Sequence, residues 1–248
     1  MGVSKITRFV LFLSLCVFAT TSAFIDTVQR NVKEKTSVHI SADNKEPIRQ
    51  SINSSVRIIS SRYSIENFDG TTSTSSGVYF VNENINYVLT TAHSLIGECE
   101  NTFIIADDLM YNCVEIIYLN QNKDMGIMEV EQIYNRNPLK IVDFLCLDNE
   151  LKYNIGVHEN IVYTGYPQGH GPFTFNGKIV SHKQENGTIY ALSYAWAGSS
   201  GSAVFNSKGK LVGIVTAVTV ANTEYGVDVM EDLIIIKPIT KWELLAAL

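Results

Sequence analysis

The chain has 248 residues, of which 46% are apolar and 18% charged, with a net charge of −6. That size and apolar content suit one large or two small packed units and exclude a disordered chain. An acidic balance without a basic cluster excludes nucleic acid and anionic membrane surfaces as partners.

The N-terminus reads as a secretory signal peptide over residues 1–23. Lys5 and Arg8 form a basic start, residues 9–19 are an apolar run, and Thr21-Ser22-Ala23 supplies small residues for cleavage before Phe24. The run is too short to span a membrane comfortably. The competing readings are an uncleaved anchor and a lipoprotein signal ending at Cys16, for which Leu15 is a poor preceding residue. Cleavage removes two positive charges and no negative ones, leaving −8. It also places the remainder in a secreted, extracellular or periplasmic setting with no stable membrane association. Three cysteines remain there, Cys99, Cys113 and Cys146, and an oxidising compartment favours a bridge. Cys99 and Cys113 flank the apolar run Phe103-Ile104-Ile105 as across a hairpin, so they are the expected pair, with Cys146 a buried free thiol. Asn53 and Asn186 head glycosylation sequons that only a glycosylating host would use.

Residues 24–50 are polar and mixed in charge, open to reading as a propeptide, a short helix or a flexible extension. From Ser55 onward the chain becomes short strand-like runs separated by turn residues. The first half holds runs at 56–59, 77–81, 87–90, 102–106, 113–118 and 125–130, and Asp107 and Asp108 sit in a hairpin turn. Residues 136–152 form a link. The second half holds runs at 160–164, 173–181, 188–194, 202–205, 211–219 and 225–229. Residues 239–248 read as a closing helix with Trp242, Leu245 and Leu248 on one face. Two sets of about six strands predict an all-β fold of two antiparallel six-stranded barrels with a C-terminal α-helix. Their spans are about 51–135 and 153–235, within one domain over 51–248.

Three motifs carry chemistry. Leu89-Thr90-Thr91-Ala92-His93 ends an apolar run in a histidine, and Asp124-Met125-Gly126-Ile127-Met128-Glu129-Val130 begins one with an aspartate. Gly198-Ser199-Ser200-Gly201-Ser202 follows, 76 residues beyond Asp124 and 107 beyond His93 counted to Ser200. Glycines flanking a serine let a tight turn present its hydroxyl and free nearby N–H groups. A hydroxyl nucleophile needs a base, and the base needs an orienting carboxylate. His39, His158, His170 and His182 lack such context and read as surface or loop residues. Only His170, in a Gly-His-Gly turn, stays in view near a substrate site. No cysteine–histidine spacing suits a metal, and no phosphate loop is present.

The order T-A-H, D-x-G-I-M, G-S-S-G-S-A-V-F resembles the trypsin-like (chymotrypsin-fold) serine peptidases from about Ser55 to the C-terminus. The resemblance implies a serine endopeptidase with His93 as base, Asp124 as its orienting acid and Ser200 as nucleophile. The N–H groups of Gly198 and Ser200 would form an oxyanion hole, and no metal or organic cofactor would be needed. Substrates would be proteins or peptides. Val162-Tyr163-Thr164-Gly165-Tyr166-Pro167 and the short spacings are similar to the compact HtrA-like and glutamyl-endopeptidase branches. The chain lacks an I-V-G-G-like start, and Ser199 stands where digestive enzymes have aspartate, so zymogen activation through that salt bridge is not expected. No histidine follows in Gly213-Ile214-Val215-Thr216-Ala217-Val218, so glutamate specificity is not supported. Tyr194, Thr216 and Val218 would line a shallow, uncharged substrate pocket. The alternatives are a catalytically inactive binding module of the same family and a protease or esterase restricted to one substrate.

Overall fold

The computed structural model describes residues 45–64, 69–144, 156–181, 184, 187–223 and 226–248. Residues 1–23, read above as a signal peptide, and Cys16, His39, Cys146, His182 and Asn186 lie outside them.

A helix, α1 (Lys45–Ser54), comes first, with Pro47 in its opening turn, where a missing N–H costs nothing. It runs across the division at residue 50 drawn from composition. Its Ser51 hydroxyl donates to Thr164 Oγ1 (2.8 Å), fixing it to the second barrel.

Strands β1 (Ser55–Ser64), β2 (Asp69–Asn82), β3 (Ile85–Thr90), β4 (Thr102–Ala106), β5 (Leu109–Asn120) and β6 (Met125–Val130) form the first barrel. Their order is β1-β4-β5-β6-β3-β2, and β2 closes on β1. The β2–β3 hairpin turns at Glu83 and Asn84, the β4–β5 hairpin at Asp107 and Asp108, all four with positive φ. Two successive left-handed residues match the twist of the strands they join. A two-residue β7 (Leu139–Lys140) adds to β2 in parallel.

The second barrel comprises β8 (Asn160–Gly165), β9 (Phe173–Ile179), β10 (Ile189–Leu192), β11 (Ala203–Asn206), β12 (Leu211–Thr223) and β13 (Gly226–Pro238). It is closed, in the order β10-β13-β12-β11-β8-β9. The sequence reading ended the last strand at 229. Paired with both β12 and β10, it runs on through Leu233-Ile234-Ile235-Ile236.

Period-two alternation builds three cores from these strands. On β2, Tyr79 points into the first barrel with Val56, Ile58, Val88 and Ile104, while Val78 and Phe80 point out of it. On β11, Val204 faces the second barrel interior with Ile161, Tyr163 and Ile236, while Ala203 and Phe205 face out. The outward sets meet in a central cluster, where Phe80 packs on Tyr87 and Phe144 alongside Val162, Phe205 and Ile214. Strands buried on both faces therefore read as continuous apolar runs, and that central cluster welds the two barrels.

The closing helix α2 is shorter than expected, Lys241–Leu245, capped by Thr240 and Glu243 in a reciprocal box. Its buried residue is Leu244, which joins the central cluster, whereas Trp242 and Leu248 are exposed. No helix of the described residues is long and apolar enough to cross a membrane. A disulfide links Cys99, in a short 3-10 turn, to Cys113 on β5, with Cα atoms 5.3 Å apart.

Candidate active site

His93 stands in a 3-10 turn (Ala92–Ser94) just past β3, which the buried Thr91–Ser94 hydroxyl pair closes at 2.6 Å. Asp124 is the residue before β6, with φ of +48°. Aspartate tolerates that left-handed conformation better than most residues. Because β3 pairs with β6, the two strand ends come side by side. His93 Nδ1 lies 2.9 Å from both carboxylate oxygens of Asp124, and the His93 backbone N–H donates to Oδ1 at 3.1 Å. Burial alone would push the Asp124 carboxyl up. The ring and backbone donors of His93, its charge and the Ala92 N–H outweigh that and hold the carboxyl below the ordinary aspartate range. The imidazole remains about half exposed (49%) and the carboxylate less so (29%).

Ser200 lies on the turn leading into β11, half-buried, its hydroxyl donating to the Thr216 carbonyl at 3.4 Å. The turn is pinned at nearly every peptide. The Ala197 carbonyl accepts from Gln168 N–H (2.6 Å), and Ser199 N–H donates to the Trp196 carbonyl (2.9 Å). The Ser199 carbonyl accepts from Ser202 N–H (3.1 Å), and Gly201 N–H donates to the Val215 carbonyl (2.8 Å). In a trans peptide the N–H points opposite to the C=O. Anchoring the Ala197 and Ser199 carbonyls therefore turns the Gly198 and Ser200 N–H groups away from those anchors. Glycine is required at both flanks. Gly198 has φ of +97°, and a Cβ there would meet Tyr166 O at 2.6 Å; Gly201 has φ of +87°, and its Cβ would collide with Ser76 O and Thr90 Oγ1. The second collision shows how tightly the serine turn abuts the end of β3, three residues before His93. Ser76 N–H also donates to the Ser200 carbonyl at 2.8 Å.

The sequence profile of the trypsin-like peptidase domain matches residues 75–214, more than half of the chain. The chain belongs to the trypsin-like peptidase family. Among solved structures it is similar to the active form of the Rv3671c protease from M. tuberculosis, with a TM-score of 0.58 and 15% identity over 82% of this chain and 83% of that one. It is also similar to the serine endoprotease from Yersinia pestis, with a TM-score of 0.58 and 16% identity over 80% of this chain and 62% of that one. At such identities the likeness is one of fold. Membership in the family implies protein or peptide substrates for this trypsin-like peptidase.

The residues read as pocket walls fall in different environments. Thr216 lies on β12 with its carbonyl toward Ser200 and its hydroxyl donating to the Ile235 carbonyl (3.3 Å). Val218 is half-buried against the second barrel core. Tyr194 is largely exposed (58%), stacked on Trp196, with its carbonyl accepting from the Tyr163 hydroxyl. Ser199 is buried, and its hydroxyl accepts from the Trp196 N–H (3.3 Å), a neutral local bond where digestive relatives carry a charge. The sequence reading did not single out Ser76, or the apolar cavity of about 390 Å³ that Phe173, Phe175 and Trp196 line beside the serine turn. His170 is exposed and lines that cavity, whereas His158 is exposed elsewhere. No strand pattern marks a cavity walled by aromatics so far apart in sequence. Among the described residues no cluster of histidine, cysteine, aspartate or glutamate could hold a metal ion.

Proposed function

We propose that this trypsin-like peptidase is a secreted serine endopeptidase that works through an acyl-enzyme on Ser200. The observation that carries this reading is the His93–Asp124 pair, bonded at 2.9 Å through Nδ1 beside the strand end that the serine turn abuts. With Nδ1–H donated to Asp124, Nε2 is left as the acceptor, able to take the Ser200 proton as the oxygen attacks a peptide carbonyl. The imidazolium then returns that proton to the leaving amine, and water repeats the sequence to release the acyl group. The N–H groups of Gly198 and Ser200 would hold the developing oxyanion. No side chain of a metal or cofactor site enters these steps. Tyr194, Thr216 and Val218 carry no charge, which favours small or medium apolar side chains before the cleaved bond. The Cys99–Cys113 disulfide suits an extracellular or periplasmic setting, as the signal-like residues 1–23 would require.

A second reading has one observation behind it. The Ser200 hydroxyl donates to the Thr216 carbonyl, the arrangement a non-catalytic binding module would keep. Catalytic hydrogen bonds in unliganded proteins are often long or misaligned, so this geometry does not favour inactivity over rest. Digestion of a denatured proteome library separates the readings. We expect cleavage after small and medium apolar residues, abolished by Ser200→Ala. Cleavage mainly after Arg, Lys or Glu would overturn the pocket assignment, and no cleavage by the native protein would favour the binding module.

A further inference from the structure

Ser76 is fully buried on β2, and all of its polar groups are used, each at a junction of the candidate site. Its N–H donates to the Ser200 carbonyl (2.8 Å), and its carbonyl accepts from Thr90 Oγ1 (2.7 Å) at the end of β3. Its hydroxyl donates to the Gly198 carbonyl (2.7 Å) and accepts from the Tyr166 N–H (2.9 Å). One residue of the first barrel thus holds the strand that leads to His93, the nucleophile's own backbone, and the peptide that follows Gly198.

The hydroxyl bond is the informative one. Gly198 has no side chain and sits at φ of +97°, so its flanking peptides can rotate more easily than those of the serines beside it. The peptide before it is fixed through the Ala197 carbonyl and Gln168. The peptide after it is fixed through Ser199 N–H on Trp196 and through the Gly198 carbonyl on Ser76 Oγ. We propose that Ser76 is a positioning residue for the oxyanion hole: its hydroxyl locks the Gly198–Ser199 peptide on one side of Gly198 while Gln168 holds the Ala197–Gly198 peptide on the other, and the two together keep the Gly198 N–H aimed at the reacting carbonyl. This rests on the reading of His93, Asp124 and Ser200 as a catalytic triad. An alanine at 76 keeps both backbone bonds but leaves the Gly198 carbonyl and the Tyr166 N–H without that shared partner. The carbonyl then gains by turning toward another donor, which rotates the backbone on one side of Gly198 and leaves its N–H held only from the other side, through the Ala197 carbonyl on Gln168.

The test uses the full chain, Ser76→Ala and Ser76→Cys. Enzyme concentration is set by active-site titration, with p-nitrophenyl acetate as the acylating probe, a peptide substrate for kcat and KM, and thermal unfolding as the control. Losing one oxyanion donor outright costs about 10² to 10³ in rate; a donor merely left loose should cost about ten- to hundredfold. We expect Ser76→Ala to lose that much in acylation rate and kcat, with KM, the shape of the pH profile and the fold retained. Ser76→Cys, which keeps the size with a weaker donor, should fall between it and the unmutated protein, and it decides the matter if the alanine variant does not fold. Folded variants that acylate at the unmutated rate, or that change only KM, overturn the inference. A native chain that is itself never acylated at Ser200 overturns the triad reading and this inference with it, a failure recognisable because it does not depend on position 76.

Discussion

At the scale of residues, Asp124 shows how much of the candidate site depends on one carboxylate. It accepts from the His93 ring and from the His93 backbone N–H, so it fixes both where the histidine is and which nitrogen carries the proton. Asp124→Asn should preserve the fold and KM while lowering kcat about 10⁴-fold by stabilising the wrong tautomer. Steady-state kinetics on a peptide substrate would check this. The same carboxyl ties stability to pH. Its folded value lies below the ordinary aspartate value of 3.8, and so does that of Asp107, held down by the Arg136 guanidinium. A depressed carboxyl stabilises the fold above the ordinary value and loses that contribution as the pH falls through the folded one. Urea midpoints from pH 7 downward should therefore stay level on this account until near pH 4 and decline below it, with a shallower decline in Asp124→Asn. The sequence singles out His93, Asp124 and Ser200 because each sits where a strand pattern breaks in a chemically pointed residue, and the structure brings His93 and Asp124 within hydrogen-bond distance. Ser76 is not singled out, because a buried serine beside Gly77 reads like any strand start, and its importance comes from partners 90 to 124 residues away.

At the scale of elements, short runs with a strong apolar signal were placed to the residue, the alternating Thr102–Ala106 and the almost wholly buried Met125–Val130 alike. Those that failed had their signal supplied by other elements. In β13 the polar stretch Glu231-Asp232 interrupts the apolar pattern, but pairing with β10 and β12 carries the strand through it. Helix α1 shows little apolar pattern because its buried residues are Pro47, Ser51 and Ser54, and it docks through the Ser51–Thr164 hydrogen bond and through Ile48 on the central cluster. In α2 the spacing of Trp242, Leu245 and Leu248 suggested a buried face, yet the helix docks through Leu244 and leaves Trp242 in solvent. Leu244→Ala should cost about 2 to 4 kcal/mol, since it opens a hole in the central cluster, while Trp242→Ala should change stability by under about 0.5 kcal/mol. Urea denaturation of the two variants tests that reversal of the expected face.

At the scale of the whole molecule, the two barrels are joined twice over. The apolar cluster around Phe80, Val162, Phe205 and Ile214 supplies contact area without direction. The buried polar contacts supply direction: Ser76 to Tyr166, Gly198 and Ser200, Arg57 to the Gly169 carbonyl (2.6 Å), and Arg136 to the Tyr166 hydroxyl (3.3 Å). This division of labour suits a fold whose candidate site draws on both halves, since a polar register fixes one barrel on the other more narrowly than packing alone. The two-barrel architecture was legible because two sets of strand-like runs were, whereas their docking register was not, because it resides in isolated polar residues. Peptidase activity by the proposed route requires Ser200 to be an activated nucleophile. The most direct measurement is the intact mass of the native chain after incubation with a fluorophosphonate, beside Ser200→Ala and heat-denatured protein. A single adduct on the native chain, mapped to Ser200 and absent from both controls, is the predicted result. A folded native chain that carries no adduct, or one labelled equally well without Ser200, would contradict it.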